Sequence, residues 1–334
     1  MQKRFFTKFF PLMLLLVMLL GACSSAKTAE PGCLLLNGKN IAVDAVMTID
    51  GHDISADMYR YQFLTLKAEA QTEDETWDEE IESAFKERVA EYLALMVAVE
   101  EMAGQYGIAR GEDSAAYAAE QLEEVRSEYK NEKAFRTALA ERYMTETQFT
   151  ELLEGDYVQY KLYDALFGEE GRYTLSESQL VSMMKRDYVR VRYLKIGCTD
   201  ENEAEKRAKA EELLKDIQEG LDFTEAVNTY GEESGMNGNP DGLYFERGMT
   251  SDETFEEACF SLKIDQISGV IQGKNAFYII KRLPIDSEYV TDNADTFLDS
   301  YYRKLFSDRL IEMAKAYSVQ YCEIYDQISV QSMG

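Results

Sequence analysis

Histidine is almost missing from this chain: His52 is the single one among 334 residues. Zinc enzymes and histidine-based hydrolases build their centres from several imidazoles, so the composition argues against both. Cysteine is sparse as well. Cys33, Cys198, Cys259 and Cys322 follow Cys23, and none of them is spaced like a metal site. No metal and no cofactor is expected, and Cys198 and Cys259 read as buried free thiols. Proline occurs four times, with none between Pro31 and Pro240, so nothing interrupts helix over that stretch. Positive charge is short: 35 Lys and Arg stand against 62 Asp and Glu, a formal net charge of −27. Phosphate binding needs clustered cations, so nucleic acid is not an expected partner. The same acidity gives solubility and attracts basic, unfolded polypeptides.

Long apolar runs are lacking too, apart from Phe9 to Leu20. Lys3, Arg4 and Lys8 precede that run, and Leu20-Gly21-Ala22-Cys23 follows it. A basic start, a short apolar core and small residues before a cut site are the marks of a secretory signal, here residues 1–22. The apolar core is too short to span a bilayer comfortably as a permanent helix. The Leu-Gly-Ala-Cys ending resembles the lipobox of bacterial lipoproteins, which implies that Cys23 carries lipid and becomes the first mature residue. Two acyl chains give stable anchoring. The expected location is extracytoplasmic, on the bacterial cell membrane. Removing the signal also removes three positive charges and no negative ones, which takes the net charge from −27 to −30.

What is present is organised in blocks. Residues 23–40 read as a tether with Pro31, Gly32 and Gly38. Residues 42–49 have strand character, and Asp50-Gly51 marks a turn. Helical patterning then predicts helices over about 55–70, 79–106, 112–130, 132–143 and 145–166, with another opening at Thr174. Gly107 stands where a helix C-cap belongs, and Thr145 to Gln148 reads as a capping box. The texture changes at Tyr188, where Tyr188 to Ile196 alternates as a strand does. Helices at 201–218, 222–230 and 255–262 and strands at 267–271 and 276–283 complete a compact α+β block. A helix over 291–316 and a strand over 318–324 follow. The expected division is a helical region 41–187, an α+β domain 188–285, and a segment 286–334 that returns to the helical region.

Six short stretches in order give the α+β block its resemblance. They are Val189-Arg-Val-Arg192; Gly220-Leu-Asp-Phe223 with Ala226 and Tyr230; Phe245-Glu-Arg-Gly248; Phe255-Glu-Glu-Ala-Cys-Phe260; Ile267-Ser-Gly-Val270; and Phe277-Tyr-Ile-Ile-Lys281. Together they resemble a parvulin-type peptidyl-prolyl isomerase domain. Set between an all-helical region and a returning helix, and opened by Met47 to Ser55, the whole resembles the PrsA/SurA-type foldases. The resemblance implies an α+β fold, unfolded secreted polypeptides as partners, and assistance to their folding.

The same resemblance assigns the site and exposes its departures. The two positions that are usually histidine hold Tyr193 and Tyr278, and the position that is Cys or Asp falls at Glu233. Those three are the candidate catalytic residues. Leu243, Phe245, Met249, Phe255 and Phe260 are the candidates for binding the prolyl ring, with Met249 one residue off the family's spacing. Tyrosines donate and accept hydrogen bonds as a neutral histidine pair does. They also fit a site that has lost its chemistry, as Phe260 fits ordinary core and Glu233 a solvated charge. Three functions stay open: a foldase with isomerase activity, a holdase chaperone whose parvulin domain is inactive, and a solute-binding lipoprotein. The last requires repeated βαβ units with parallel strands.

Overall fold

The structure is a computed structural model and describes residues 29–70 and 77–334. The expected signal 1–22 and Cys23 lie outside the described residues. The described residues divide into two compact units, one drawn from 29–174 and 302–334 and one of 175–301.

The first unit opens with a hairpin. Strand β1 (Cys33–Leu36) pairs with β2 (Lys39–Ala42) across Asn37-Gly38, at φ 50° and 73°. Two successive positive φ values make a type I′ turn, the sharp reversal that Asn-Gly favours. This corrects the tether reading of residues 33–40. Leu34 and Leu36 are buried in the main core of the unit and cannot belong to a solvated linker. A second hairpin, β3 (Met47–Ile49) and β4 (His52–Ile54), turns on Asp50-Gly51 as expected. Strand β9 (Val319–Tyr321) adds to the free edge of β3, with Met47 opposite Tyr321. The unit is therefore not all-helical: two small antiparallel sheets sit on its core.

Five helices make up the rest of the first half: α1 (Ala56–Ala70), α2 (Glu79–Gln105), α3 (Glu112–Ser127), α4 (Glu132–Ala140) and α5 (Glu146–Phe167). Gly107 ends α2 at φ 72°, and Ile108 N donates to Ala103 O at 3.0 Å, the glycine C-cap read in the sequence. The capping box at α5 is only half made. Thr145 Oγ1 accepts from Gln148 N, but the Gln148 amide donates to Asp57 O of α1 at 2.9 Å instead. Asp156 lies on the buried side of α5 with Oδ1 unpartnered, and burial pushes its carboxyl up to about 7. The end of the chain closes this unit. Ile328, Val330 and Met333 enter the core beside Leu34, Phe63 and Leu93. Lys67 Nζ donates to the Val330 and Met333 carbonyls, and Lys86 Nζ to those of Tyr325 and Ile328.

The second unit begins with α6 (Glu177–Asp187), capped by Ser176 in a full box with Gln179. That start lies two residues beyond the expected one. Strand β5 (Tyr188–Gly197) follows, then α7 (Glu203–Glu219), α8 (Phe223–Tyr230), β6 (Leu243–Glu246), α9 (Glu253–Ser261), β7 (Ile271–Gln272), β8 (Ala276–Leu283) and α10 (Ser287–Asp292). Helix α11 (Ala294–Lys315) starts here and runs into the residues of the first unit. The sheet order is β6-β5-β8-β7, antiparallel throughout. Among the described residues every strand pair is antiparallel, so the βαβ repeats of a solute-binding lipoprotein are not found.

Strand alternation sorts the two faces of this sheet. Leu194 and Ile196 of β5 and Phe277 and Ile279 of β8 pack on α7 and α8. Val189, Val191 and Ile280 pack on α9 through Phe255 and Cys259. A third cluster joins Leu180, Met183 and Met184 of α6 to Tyr188 and Val290. Helix α6 and residues 285–301 thus belong with the second unit. The sequence reading placed α6 with the helical region and ended the domain at residue 285.

Candidate functional site

The register of the sheet builds the site. On β5 and β8, Tyr193 stands opposite Ile280, and Lys195 opposite Tyr278. Tyr193 and Tyr278 are therefore diagonal neighbours on the face covered by α9. Their ring centroids lie 5.9 Å apart, edge to face. Phe255, in the first turn of α9, inserts between them at 5.0 Å from Tyr193 and 4.8 Å from Tyr278. Phe245 of β6 stacks behind Phe255 at 6.0 Å, and Phe260 meets Phe245 edge-on at 5.8 Å. Leu243 is half-buried beside the same cluster.

The structure thus gathers Tyr193, Tyr278, Phe255, Phe245, Phe260 and Leu243 into one aromatic-walled patch. Their accessibility differs. Phe255 is 5% exposed and Phe245 2%, so both are buried, with Phe245 stacked behind Phe255. Met249 is not part of it. Its side chain is 49% exposed, and its Sδ accepts from Glu246 N at 3.5 Å, folded over its own loop.

Both phenols stay protonated well past neutrality. Burial raises Tyr193 to about 12, with the Glu233 and Tyr278 charges adding to it. Burial likewise raises Tyr278 to about 12, helped by the carboxylates of Asp252 and Glu233. Glu233 is half-buried and pairs with Lys195 Nζ at 2.9 Å, so it is neither a free base nor a fully solvated charge. Cys259, under Phe255 in the same core, is fully buried and its thiol is pushed up to about 12.

One residue was not singled out in the sequence. Asp252 caps α9, its Oδ1 accepting from Phe255 N at 3.2 Å. Its Oδ2 accepts from Lys274 N at 3.0 Å in the turn before β8, and its negative charge is one of those that hold the Tyr278 phenol protonated. The available signal was the Asp252-x-x-Phe255 spacing of an N-cap just ahead of an apolar helix.

The first unit has its own opening. A cleft of about 160 Å³ is lined by Tyr61, Leu66, Tyr92, Met96, Leu152 and Leu310, among others. Among the described residues no group of three His, Cys, Asp or Glu is placed to hold a metal ion, and no helix is long and apolar enough to cross a membrane.

The second unit thus combines a four-stranded antiparallel sheet, helices on both faces and an aromatic patch on its α9 side. Residues 174–283 match the PPIC-type PPIase domain family. The chain is 24% identical over 288 residues to the foldase protein PrsA of Halalkalibacterium halodurans, spanning 84% of this chain and 71% of that one. It is 27% identical over 175 residues to the foldase protein PrsA of Oceanobacillus iheyensis, spanning 51% of this chain and 54% of that one. Among solved structures, the peptidylprolyl isomerase (PrsA) of Bacillus anthracis aligns over 67% of this chain and 95% of its own, at 18% identity and a TM-score of 0.36.

Proposed function

We propose that this chain is an extracytoplasmic foldase that accelerates cis–trans exchange at X-Pro bonds of secreted polypeptides while they fold. The observation that carries the reading is the Tyr193–Phe255–Tyr278 cluster on the sheet of a PPIC-type domain. Amide resonance sets a barrier of about 18–20 kcal/mol to this rotation. No covalent step is needed. The catalyst has to hold the proline ring against an apolar wall and bind the twisted amide better than the planar one. Phe255 and the two tyrosine faces supply the wall, and the phenol hydroxyls supply polar contacts to the twisting amide. The cleft in the first unit gives unfolded apolar segments a second place to rest.

The test is the rate of cis-to-trans conversion of an X-Pro peptide, measured against pH for the parent, Phe255→Ala and Tyr278→Phe. A histidine site titrates near pH 6.5, whereas these phenols ionise near 12. The parent rate is therefore expected to be weak and nearly flat from about pH 5.5 to 8. Phe255→Ala should lose more activity than Tyr278→Phe, because it removes the wall and not one hydroxyl, with circular dichroism confirming that each variant folds. A steep change through about pH 6.5 would place the chemistry elsewhere.

One observation favours a second reading, a holdase without isomerase activity. Phe255 is only 5% exposed, so the three rings largely fill the concavity that a prolyl ring would enter. An inactive parent that still suppresses aggregation of a reduced, unfolding client would establish that reading.

The same proposal includes anchoring through lipid on Cys23. Cys23→Ser is expected to release the protein from membranes without changing its melting temperature. A variant that fractionates firmly with membranes would refute the anchor.

A further inference from the structure

We propose that the cleft of the first unit binds a cationic side chain, a lysine of an unfolded polypeptide, and that Asp156 is the carboxylate that receives its ammonium group. The partner is taken from the foldase reading above; the site itself stands on the geometry of α1, α2 and α5.

The cleft has apolar walls and one sign of charge. Leu66, Met96, Leu152 and Leu310 give it aliphatic surface, and Tyr61 and Tyr92 add two rings whose faces attract a cation. Among the described residues that line it, Glu69 is the only charged one. Arg88 stands 5.8 Å from the Tyr92 ring, outside the lining. At roughly 30 Å³ for a water-sized group, the 160 Å³ of the cleft holds about five such groups, the length of one long side chain.

Asp156 lies beneath this surface. It stands four residues after Leu152 and three before Gln159 on α5, spacings that put the three side chains on one stripe of a helix. Leu152 and Gln159 both line the cleft, so the carboxyl sits between two lining residues. It is 8% exposed, and its Oδ1 has no hydrogen-bond partner. Arg110 approaches the neighbouring Gly155 but pairs with Glu100 and Glu154. A buried carboxylate without a cation is costly, and a cation that reaches it offsets that cost. A lysine fits the requirement: its methylenes lie along the leucines while its ammonium reaches the charge. An acidic side chain meets only repulsion there. The chain's net charge of −27 draws basic segments toward it from a distance.

Binding is then linked to pH. The titratable and charged groups around Asp156 are Tyr61 and Glu69 of α1, Arg88 and Tyr92 of α2, Tyr117 of α3 and Tyr160 of its own helix. Burial raises the Tyr61 and Tyr117 phenols, so both stay neutral while Asp156, held at about 7, titrates. The cation prefers the ionised carboxylate. Affinity is therefore full above about pH 7 and falls below it, each binding event there releasing one proton to solvent.

The probe is a blocked heptapeptide with one lysine among leucines and no proline, so that it does not engage the isomerase site. Acetyl-lysine and glutamate versions accompany it. Binding to the mature full-length chain is read by fluorescence anisotropy at physiological salt, where surface charges are screened beyond about 8 Å. At pH 8 the lysine peptide is expected to bind at least about tenfold more tightly than the acetyl-lysine peptide, and the glutamate peptide most weakly. Its affinity should fall about thirty-fold from pH 8 to pH 5.5. Asp156→Asn should abolish that pH dependence and most of the lysine preference. Tyr92→Ala, which removes a partly exposed ring from the cleft, should weaken both the lysine and acetyl-lysine peptides, with circular dichroism showing each variant folded. Equal binding of those two peptides to the parent overturns the inference and leaves a purely apolar cleft. An unchanged lysine preference in folded Asp156→Asn also overturns it, by placing the cation on the acidic surface, as does unchanged binding in folded Tyr92→Ala. Butylamine binding as tightly as the peptide would replace the polypeptide partner with a small amine. Isomerase activity does not enter these readouts, so failure of the catalytic reading and failure of this one are told apart.

Discussion

At the scale of single residues, the site is governed by how closely its parts approach. Gly273 has no strained backbone angle; it is needed because any side chain would strike Asp252 and Tyr278. Gly273→Ala should therefore cost about 1–3 kcal/mol of stability through overpacking. It should also disturb Tyr278 before it disturbs Phe245, which lies farther back. Thermal unfolding together with the tyrosine and phenylalanine ring signals would check both. A variant as stable as the parent with unmoved Tyr278 signals would contradict the packing described. Residue identity alone conveyed part of this. The family resemblance implied one site for Tyr193, Tyr278 and Phe255, and their rings do meet. Asp252 went unread because its importance lies in the turn it ties, 22 residues away at Lys274. Met249 was doubtful from spacing alone, and the loop carries it out to solvent.

At the scale of elements, the same turn chemistry was legible once and overlooked once. Asp50-Gly51 sits between patterned segments and was read as a turn. Asn37-Gly38 makes an equivalent reversal, but Leu34-Leu35-Leu36 does not alternate and follows Pro31-Gly32, so it resembled linker. Burial on both faces of β1 explains the unbroken apolar run. Capping boxes show a similar limit. Thr145 and Gln148 have the right letters, yet Asp57 O takes the glutamine, and tertiary contact overrides the local motif.

Helix α5 also carries a titratable group with a clear consequence. Burial holds the Asp156 carboxyl at about 7, above its ordinary 3.8. Folding therefore favours its neutral form. That contribution is fully present below pH 3.8 and is lost as pH rises through about 7. The first unit should lose stability between those values, and Asp156→Asn should flatten the dependence and gain about 1–3 kcal/mol at pH 8. Denaturant melts at pH 5 and pH 8 would show it. Equal pH sensitivity in parent and variant would mean that Asp156 is not the group involved.

At the scale of the whole molecule, the second unit is larger than its sequence signature. Motifs marked 188–284, but α6 and α10 bring Leu180, Met183, Met184 and Val290 onto Tyr188, and Tyr289 stacks on Tyr244 at 5.3 Å. A fragment of residues 175–301 should melt cooperatively, whereas 188–284 should melt at markedly lower temperature, since each large apolar side chain lost from such a cluster is worth about 1.5–3 kcal/mol. Equal melting of the two fragments would show that the cluster contributes nothing. Helix α6 was read in the sequence but given to the helical region, and α10 was not read, because both carry no family motif, only apolar spacing that suits either neighbour.

The pairing of β3 with β9 joins Met47 to Tyr321, and Leu36 meets Met333 in the same way. Ribosomes deliver a chain from its N-terminus, at about 5–20 residues per second. During synthesis, then, β3 cannot reach β9, nor Leu36 reach Met333, until the roughly 270 to 300 residues between them have followed. For that interval β1 and β3 present open edges and uncovered leucines, the surfaces on which unfinished chains aggregate. The second unit is contiguous and meets no such delay. A protein proposed to guard the folding of others is thus built so that its own first half must wait for its last residues.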